Sequence, residues 1–122
     1  MQSIISLLYI GLGGFIGAVS RWGLSHIIRK STADGAFPLS TLIVNLIGCL
    51  GIGVAYSIWE NNNSAKLIII IGFLGGFTTF STFAYETLSL IKNGNTLIAI
   101  SYVTSSSIIG VFLVWVGMKF SS

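Results

Sequence analysis

Asn45, Thr78, Thr79, Ser81, Thr82, Tyr102 and Ser106 each bring a hydrogen-bonding side chain into stretches otherwise made of Leu, Ile, Val, Gly and Phe. Asn45 is the costliest of its span to bury, with two N–H donors and a carbonyl acceptor to satisfy. Two kinds of chemistry are open to it. It can tie two helices together, a contribution of about 1 kcal/mol in membrane proteins, or it can stand as a donor in an ion path. Thr41 lies four residues before it, on the same helix face. Tyr102, Ser106 and Gly110 also share a face and form a polar track, although isolated serines can simply bond their own i−4 carbonyls. Phe80 and Phe83, three apart, are packing residues in the ordinary case.

The stretch from Gly72 to Glu86 holds most of these groups and departs furthest from an ordinary apolar helix. Gly75 and Gly76 each weaken a helix by about 1 kcal/mol relative to Ala, and Thr78 and Thr79 compete for backbone hydrogen bonds. A break is expected at this point. Hydrocarbon does not tolerate the freed carbonyls and N–H groups unless protein buries them or they line a polar cavity or ion site. Gly72 and Gly76 also have the small-xxx-small spacing of close helix packing. On the resumed helix Thr79, Thr82 and Glu86 share one stripe and Phe80 and Phe83 an adjacent one. Glu86 is expected near a water interface, since the span ends at Ile91, Lys92 and Asn93.

The elements that must position these residues are membrane helices. Of 122 residues, 53% are hydrophobic and 7% charged, too few charges for a soluble globular surface. Apolar stretches run approximately from Ile4 to Ser20, Leu39 to Trp59, Leu67 to Ile91 and Leu97 to Met118, each long enough to cross a core that needs about 20 helical residues. The expected fold is an all-α integral membrane protein, a single four-helix transmembrane domain over residues 1–122. Nothing remains for a soluble domain, and the first stretch lacks the basic n-region and cleavage site of a signal peptide. No enzyme is expected. His26 has no Cys, Asp, Glu or second His at metal-ligand spacing, and Cys49, alone in mid-span, reads as a small packing residue. The lipid bilayer is an expected partner and nucleic acid is not.

In chain order, Gly13 and Gly17 form a GxxxG face for close helix approach. Arg21 ends the first apolar run, either as a snorkelling anchor or as a cation drawing anions toward a pore mouth; an amphipathic extension with Ser25, His26, Arg29 and Lys30 follows. Pro38 begins the second span, where its missing N–H is harmless. If every span crosses, Lys66 and Lys119 lie with the amino terminus on one side, and Arg29, Lys30 and Lys92 on the other. The positive-inside rule then gives no firm orientation, and a chain that inserts both ways can pair about a two-fold axis in the membrane plane. An antiparallel, dual-topology homodimer is expected, its broken third helices meeting near the midplane.

The sequence resembles the CrcB, or Fluc, fluoride channels over nearly its whole length. The resemblance rests on Gly13-Gly14-Phe-Ile-Gly-Ala-Val-Ser-Arg21, on Pro38 with Thr41-Leu-Ile-Val-Asn45-Leu-Ile-Gly48, and above all on Gly72-Phe-Leu-Gly-Gly-Phe-Thr-Thr-Phe-Ser-Thr-Phe83 followed by Glu86. It implies a dual-topology homodimer in the bacterial inner membrane, with two fluoride pathways through which toxic fluoride leaves the cytoplasm passively. It also implies a central structural Na+ held by the main-chain carbonyls of Gly75 and Thr78 of both subunits. The pore positions it implies are Asn45, Phe80 and Phe83, with Ser81 and Thr82 beside them and Tyr102 and Ser106 on the fourth helix; Arg21 maps to a basic residue at the wide entrance. Ser40, before Thr41, and Gly110, on the polar track, depart from the family pattern.

The residues suit that chemistry. Fluoride is strongly hydrated, so stripping its water requires close donors of the kind Asn45, Ser81, Thr82, Tyr102 and Ser106 supply. Conduction needs weak, multiple sites, and the positive ring edges of Phe80 and Phe83 can touch an anion without trapping it. The alternative reading is a small dual-topology, proton-coupled drug or cation exporter, which needs a membrane-embedded carboxylate; the first, second and fourth spans contain none, and Glu86 is expected too near an interface. A non-transporting scaffold explains the glycines but leaves the donors without a task. Fluoride efflux, chloride efflux and proton-coupled cation uptake in proteoliposomes separate the three.

Overall fold

The computed structural model describes residues 2–32 and 35–120. The chain forms α1 (Gln2–Ser31), α2 (Leu39–Trp59), a composite helix α3 over 63–77, α4 (Phe80–Lys92) and α5 (Thr96–Met118). Among the described residues, four helical stretches are long and apolar enough to cross a membrane, α3 and α4 together forming one of them. With more than half of the sequence hydrophobic and residues such as Phe15, Leu7 and Val111 about 70% exposed, the chain is a multi-pass membrane protein whose outer surface suits hydrocarbon.

Local chemistry fixes the helix ends. Pro38 precedes α2 as its N-cap (φ −79°, ψ 71°), one residue earlier than the first-turn position expected of it, and its carbonyl accepts from the Leu42 N–H at 3.2 Å. The Asn62 side chain caps the start of α3 by accepting from the Ala65 N–H at 3.0 Å. Gly94 takes φ +83°, the left-handed conformation that favours glycine just past a helix end. There the Asn95 N–H reaches the Leu90 carbonyl and the Gly94 N–H that of Ile91, the paired bonds of a Schellman motif. The connection from α4 to α5 is therefore tight.

Two glycine seams hold the bundle. α1 lies along α3, and a Cβ on Gly13 or Gly17 would overlap the carbonyl oxygen of Ile68 or Phe73 respectively. A Cβ on Gly72 would meet the Ile10 carbonyl, and one on Gly76 that of Gly14. The GxxxG face of α1 and the small-xxx-small face of α3 thus meet each other, as close packing requires. α2 and α5 make the second seam through Gly53 and Gly117, where a Cβ would run into the carbonyls of Val114 and Leu50. Between Lys66 and Leu74, α3 is wound as a π-helix, in which N–H groups reach carbonyls five residues back. Small apolar clusters fill the remaining contacts, one around Leu42, Leu90, Ala99 and Tyr102 and one around Ala55, Ile70 and Leu74.

Candidate functional site

Between α3 and α4 the backbone is extended at two residues, Thr78 (φ −88°, ψ 157°) and Thr79 (φ −145°, ψ 117°). Gly75 and Gly76 are themselves helical, which corrects the expectation that the glycine pair makes the interruption. Its cause is a set of competing partners. The Thr79 N–H, which a continuous helix would give to the Gly75 carbonyl, donates to Asn45 Oδ1 at 2.9 Å. Asn45 Nδ2 donates back to the Thr79 carbonyl at 3.0 Å. The Thr82 N–H, helical partner of the Thr78 carbonyl, donates to Thr79 Oγ1 at 3.2 Å, so Thr79 is the N-cap of α4. The Gly76 carbonyl accepts from Arg21 Nε at 3.0 Å. The Thr78 hydroxyl turns back to the Leu74 carbonyl at 2.9 Å.

A cavity of about 420 Å³ opens beside this interruption, and Asn45, Gly75, Thr78, Phe80, Phe83 and Ser106 are among its lining residues. The helix spacing brings the two phenylalanines together, with ring centroids 5.8 Å apart, and Phe83 lies 4.9 Å from the Tyr102 ring. Phe80 is 78% exposed. Ser106 Oγ is buried with no hydrogen-bond partner among the described residues. A buried hydroxyl without a partner costs free energy unless something else occupies its donor. Such a group beside a cavity is suited to a polar ligand.

The remaining candidate residues do not share this cavity. Thr82 lines a second one of about 170 Å³ together with Arg21, Thr41 and Thr79. Ser81 is exposed. Tyr102 is fully buried and donates its hydroxyl to Glu86 Oε1 at 2.8 Å. Thr41 donates to the other carboxylate oxygen, Oε2, at 2.9 Å. Glu86 is therefore held between α2 and α5 by two hydroxyls, a role that its position near the end of the span does not suggest. The Thr79, Thr82 and Glu86 stripe and the Thr41 and Asn45 face were visible in the sequence, but nothing in it pairs one face with the other.

Residues 8–118 match the model of a family described as CrcB-like protein, Camphor Resistance (CrcB). The chain belongs to the CrcB family. Similar CrcB relatives include a fluoride-specific ion channel FluC of Nitratidesulfovibrio vulgaris, 38% identical over 97% of this chain and 95% of its own length. A fluoride-specific ion channel FluC of Dehalococcoides mccartyi is 41% identical over 95% of this chain and 92% of its own. Another, from Chlorobium phaeobacteroides, is 37% identical over 99% of this chain and 95% of its own. The CrcB match reaches every helix and covers both glycine seams and the interruption.

Proposed function

We propose that this protein is a fluoride-specific ion channel that lets fluoride leave the bacterial cytoplasm passively across the inner membrane. The observation that carries the reading is the buried Ser106 hydroxyl, without a partner among the described residues, beside a cavity shared with Asn45, Phe80 and Phe83. The end-to-end similarity to proteins named as fluoride-specific channels supports it. An amide N–H of Asn45, the Ser106 hydroxyl and the positive ring edges of the phenylalanines form a series of weak donors. A series of this kind replaces the water of a small anion and still releases it. Ser81, Thr82 and Tyr102 would flank the path, Tyr102 through its packing on Phe83.

The working unit in this reading is an antiparallel dual-topology homodimer with two pathways. The wide apolar exposure of α1 and α5 leaves ample surface for a second copy. The interruption would lie near the midplane, and a Na+ ion at the dimer axis would take the main-chain carbonyls of Gly75 and Thr78 of each subunit. The donor set fits such an ion. Both carbonyls lose their helical partners to Asn45 and to Thr79 Oγ1, and a small hard cation prefers oxygen ligands. Bound there, Na+ would supply fixed positive charge between the subunits and a reason for the freed carbonyls to persist in hydrocarbon.

The exporter alternative requires a carboxylate free to exchange protons. Both oxygens of Glu86 are engaged by Thr41 and Tyr102, which weighs against it. Purified protein in liposomes loaded with potassium fluoride should discharge the gradient once valinomycin compensates charge, with no requirement for a proton or Na+ gradient. Flux that is driven uphill by either cation would overturn the reading.

A further inference from the structure

Beside the charge that suits Arg21 to an anchor or a pore mouth, its side chain makes a directed hydrogen bond within the bundle. Its Nε donates to the Gly76 carbonyl at 3.0 Å, joining residues 55 positions apart in sequence. That carbonyl is one of the acceptors stranded by the interruption, because a continuous helix would satisfy it with the Phe80 N–H. The approach that permits this bond is built by the glycine seam. Gly14 and Ala18 press on Gly76, where an added Cβ would meet the Gly14 Cα and the Ala18 N at 3.2 Å. Arg21 continues the same α1 stripe one turn on. The seam thus delivers the inner nitrogen of the guanidinium, the one nearest its own backbone, to the end of α3.

From this geometry we infer that Arg21 is a positioning residue for conduction: its Nε–H caps the Gly76 carbonyl and thereby fixes the extended Thr78-Thr79 link. Arg21 and Asn45 then divide the task between them. Asn45, from α2, holds the N–H and carbonyl of Thr79 on one side of the link. Arg21, from α1, holds the Gly76 carbonyl, in the last turn of α3, on the other. Because Thr79 caps α4, and Phe80 and Phe83 ride on α4, a loosened link moves the aromatic residues that line the cavity. Arg21 also lines a cavity with Thr79 and Thr82, so the same side chain lies beside the residues on the far side of the link. What matters in this account is a donor at the position of Nε, and the net charge is secondary.

A pair of substitutions separates donor from charge. Gln carries its Nε2 the same number of bonds from Cα as Arg carries Nε, and so offers a neutral N–H at that point; Met places a methyl there and offers none. Fluoride efflux from liposomes, measured for wild type, Arg21→Gln and Arg21→Met, is read together with amide hydrogen exchange over 74–82 in the purified proteins. Arg21→Gln should keep flux within about threefold of wild type, and Arg21→Met should lose about tenfold or more, the scale of one carbonyl left without a partner away from water. Exchange over 78–82 should rise in Arg21→Met and not in Arg21→Gln. The flux arm rests on the channel reading; the exchange arm does not, and it decides the matter if wild type itself passes no fluoride. Equal loss of flux in both variants assigns Arg21 to charge and overturns the proposal, as does wild-type exchange in Arg21→Met. If Arg21→Met fails to assemble, Arg21→Gln decides alone: low flux or raised exchange there overturns it.

Discussion

Asn45 and Thr79 exchange two hydrogen bonds, Nδ2 to the Thr79 carbonyl at 3.0 Å and the Thr79 N–H to Oδ1 at 2.9 Å. The amide of α2 thus stands in for the backbone that α3 lacks at this point. It leaves one N–H of Asn45 for the cavity it lines. The same side chain both makes the interruption and faces the proposed path.

Removing this clamp should be costly in two ways. Asn45→Ala strands both Thr79 groups and should destabilise the protein by about 2 kcal/mol or more, measured as a lower midpoint in thermal aggregation from detergent. Asn45→Asp keeps an acceptor for the Thr79 N–H but sets a carboxylate oxygen against the Thr79 carbonyl and a negative charge in an anion path. It should abolish fluoride flux. Wild-type flux in Asn45→Asp would remove the residue from the pathway.

Phe80→Ile and Phe83→Ile should each reduce fluoride efflux by about tenfold or more while the protein remains assembled, because the apolar bulk survives but the ring edge does not. Phe83→Ile should have the additional effect of loosening Tyr102, whose ring lies 4.9 Å away. Near-normal flux in both variants, with assembly checked by size-exclusion chromatography, would assign the pair to packing.

Much of this architecture was legible in the sequence, and what was not has a common physical cause. The spans followed from hydropathy alone, and Gly13, Gly17, Gly72 and Gly76 announced helix packing by their spacing; the structure joins these two motifs to one another. The interruption was placed at Gly75-Gly76 on propensity, yet both are helical and the extended residues are Thr78 and Thr79. Propensity is a local quantity, whereas the deciding hydrogen bonds come from Asn45 and Arg21 on other helices. The partners of Glu86 are hidden from the sequence for the same reason: its position near the end of the span says nothing of Thr41 and Tyr102, which reach it from α2 and α5. The π-helical winding of Lys66–Leu74 left no mark in an almost pure Leu and Ile run.

Tyr102→Phe removes the donor to Glu86 Oε1 from a fully buried site and should cost about 1–3 kcal/mol. Glu86→Gln cannot accept from both hydroxyls without reorienting one of them. On the channel reading, fluoride flux in this variant should remain passive and indifferent to a proton gradient. Substrate transport that depends on a proton gradient in wild type and is lost in Glu86→Gln would favour the exporter.

A Cβ at Gly75 meets nothing within 4 Å inside the subunit, so Gly75→Ala should leave the fold of a single chain intact. If the Gly75 carbonyl faces a shared Na+ at the dimer axis, bulkier Gly75→Leu should weaken the dimer. Gly17→Leu, which drives a side chain into the Phe73 carbonyl, should damage the chain itself, at about 1–3 kcal/mol or more. Dimer and monomer populations in detergent, with Na+ present and after prolonged exchange into a large organic cation, distinguish the two effects. Equal dimer stability across all conditions would contradict the Na+ assignment.

The most direct test is a paired efflux measurement on the unmodified protein. Liposomes carrying it are loaded with potassium fluoride or potassium chloride, and valinomycin is added to release the gradient in the absence of Na+ or proton gradients. Rapid, complete fluoride discharge beside negligible chloride discharge is the predicted result. Chloride discharge at a comparable rate, or fluoride that stays inside until a cation gradient is supplied, would contradict a fluoride-selective passive channel.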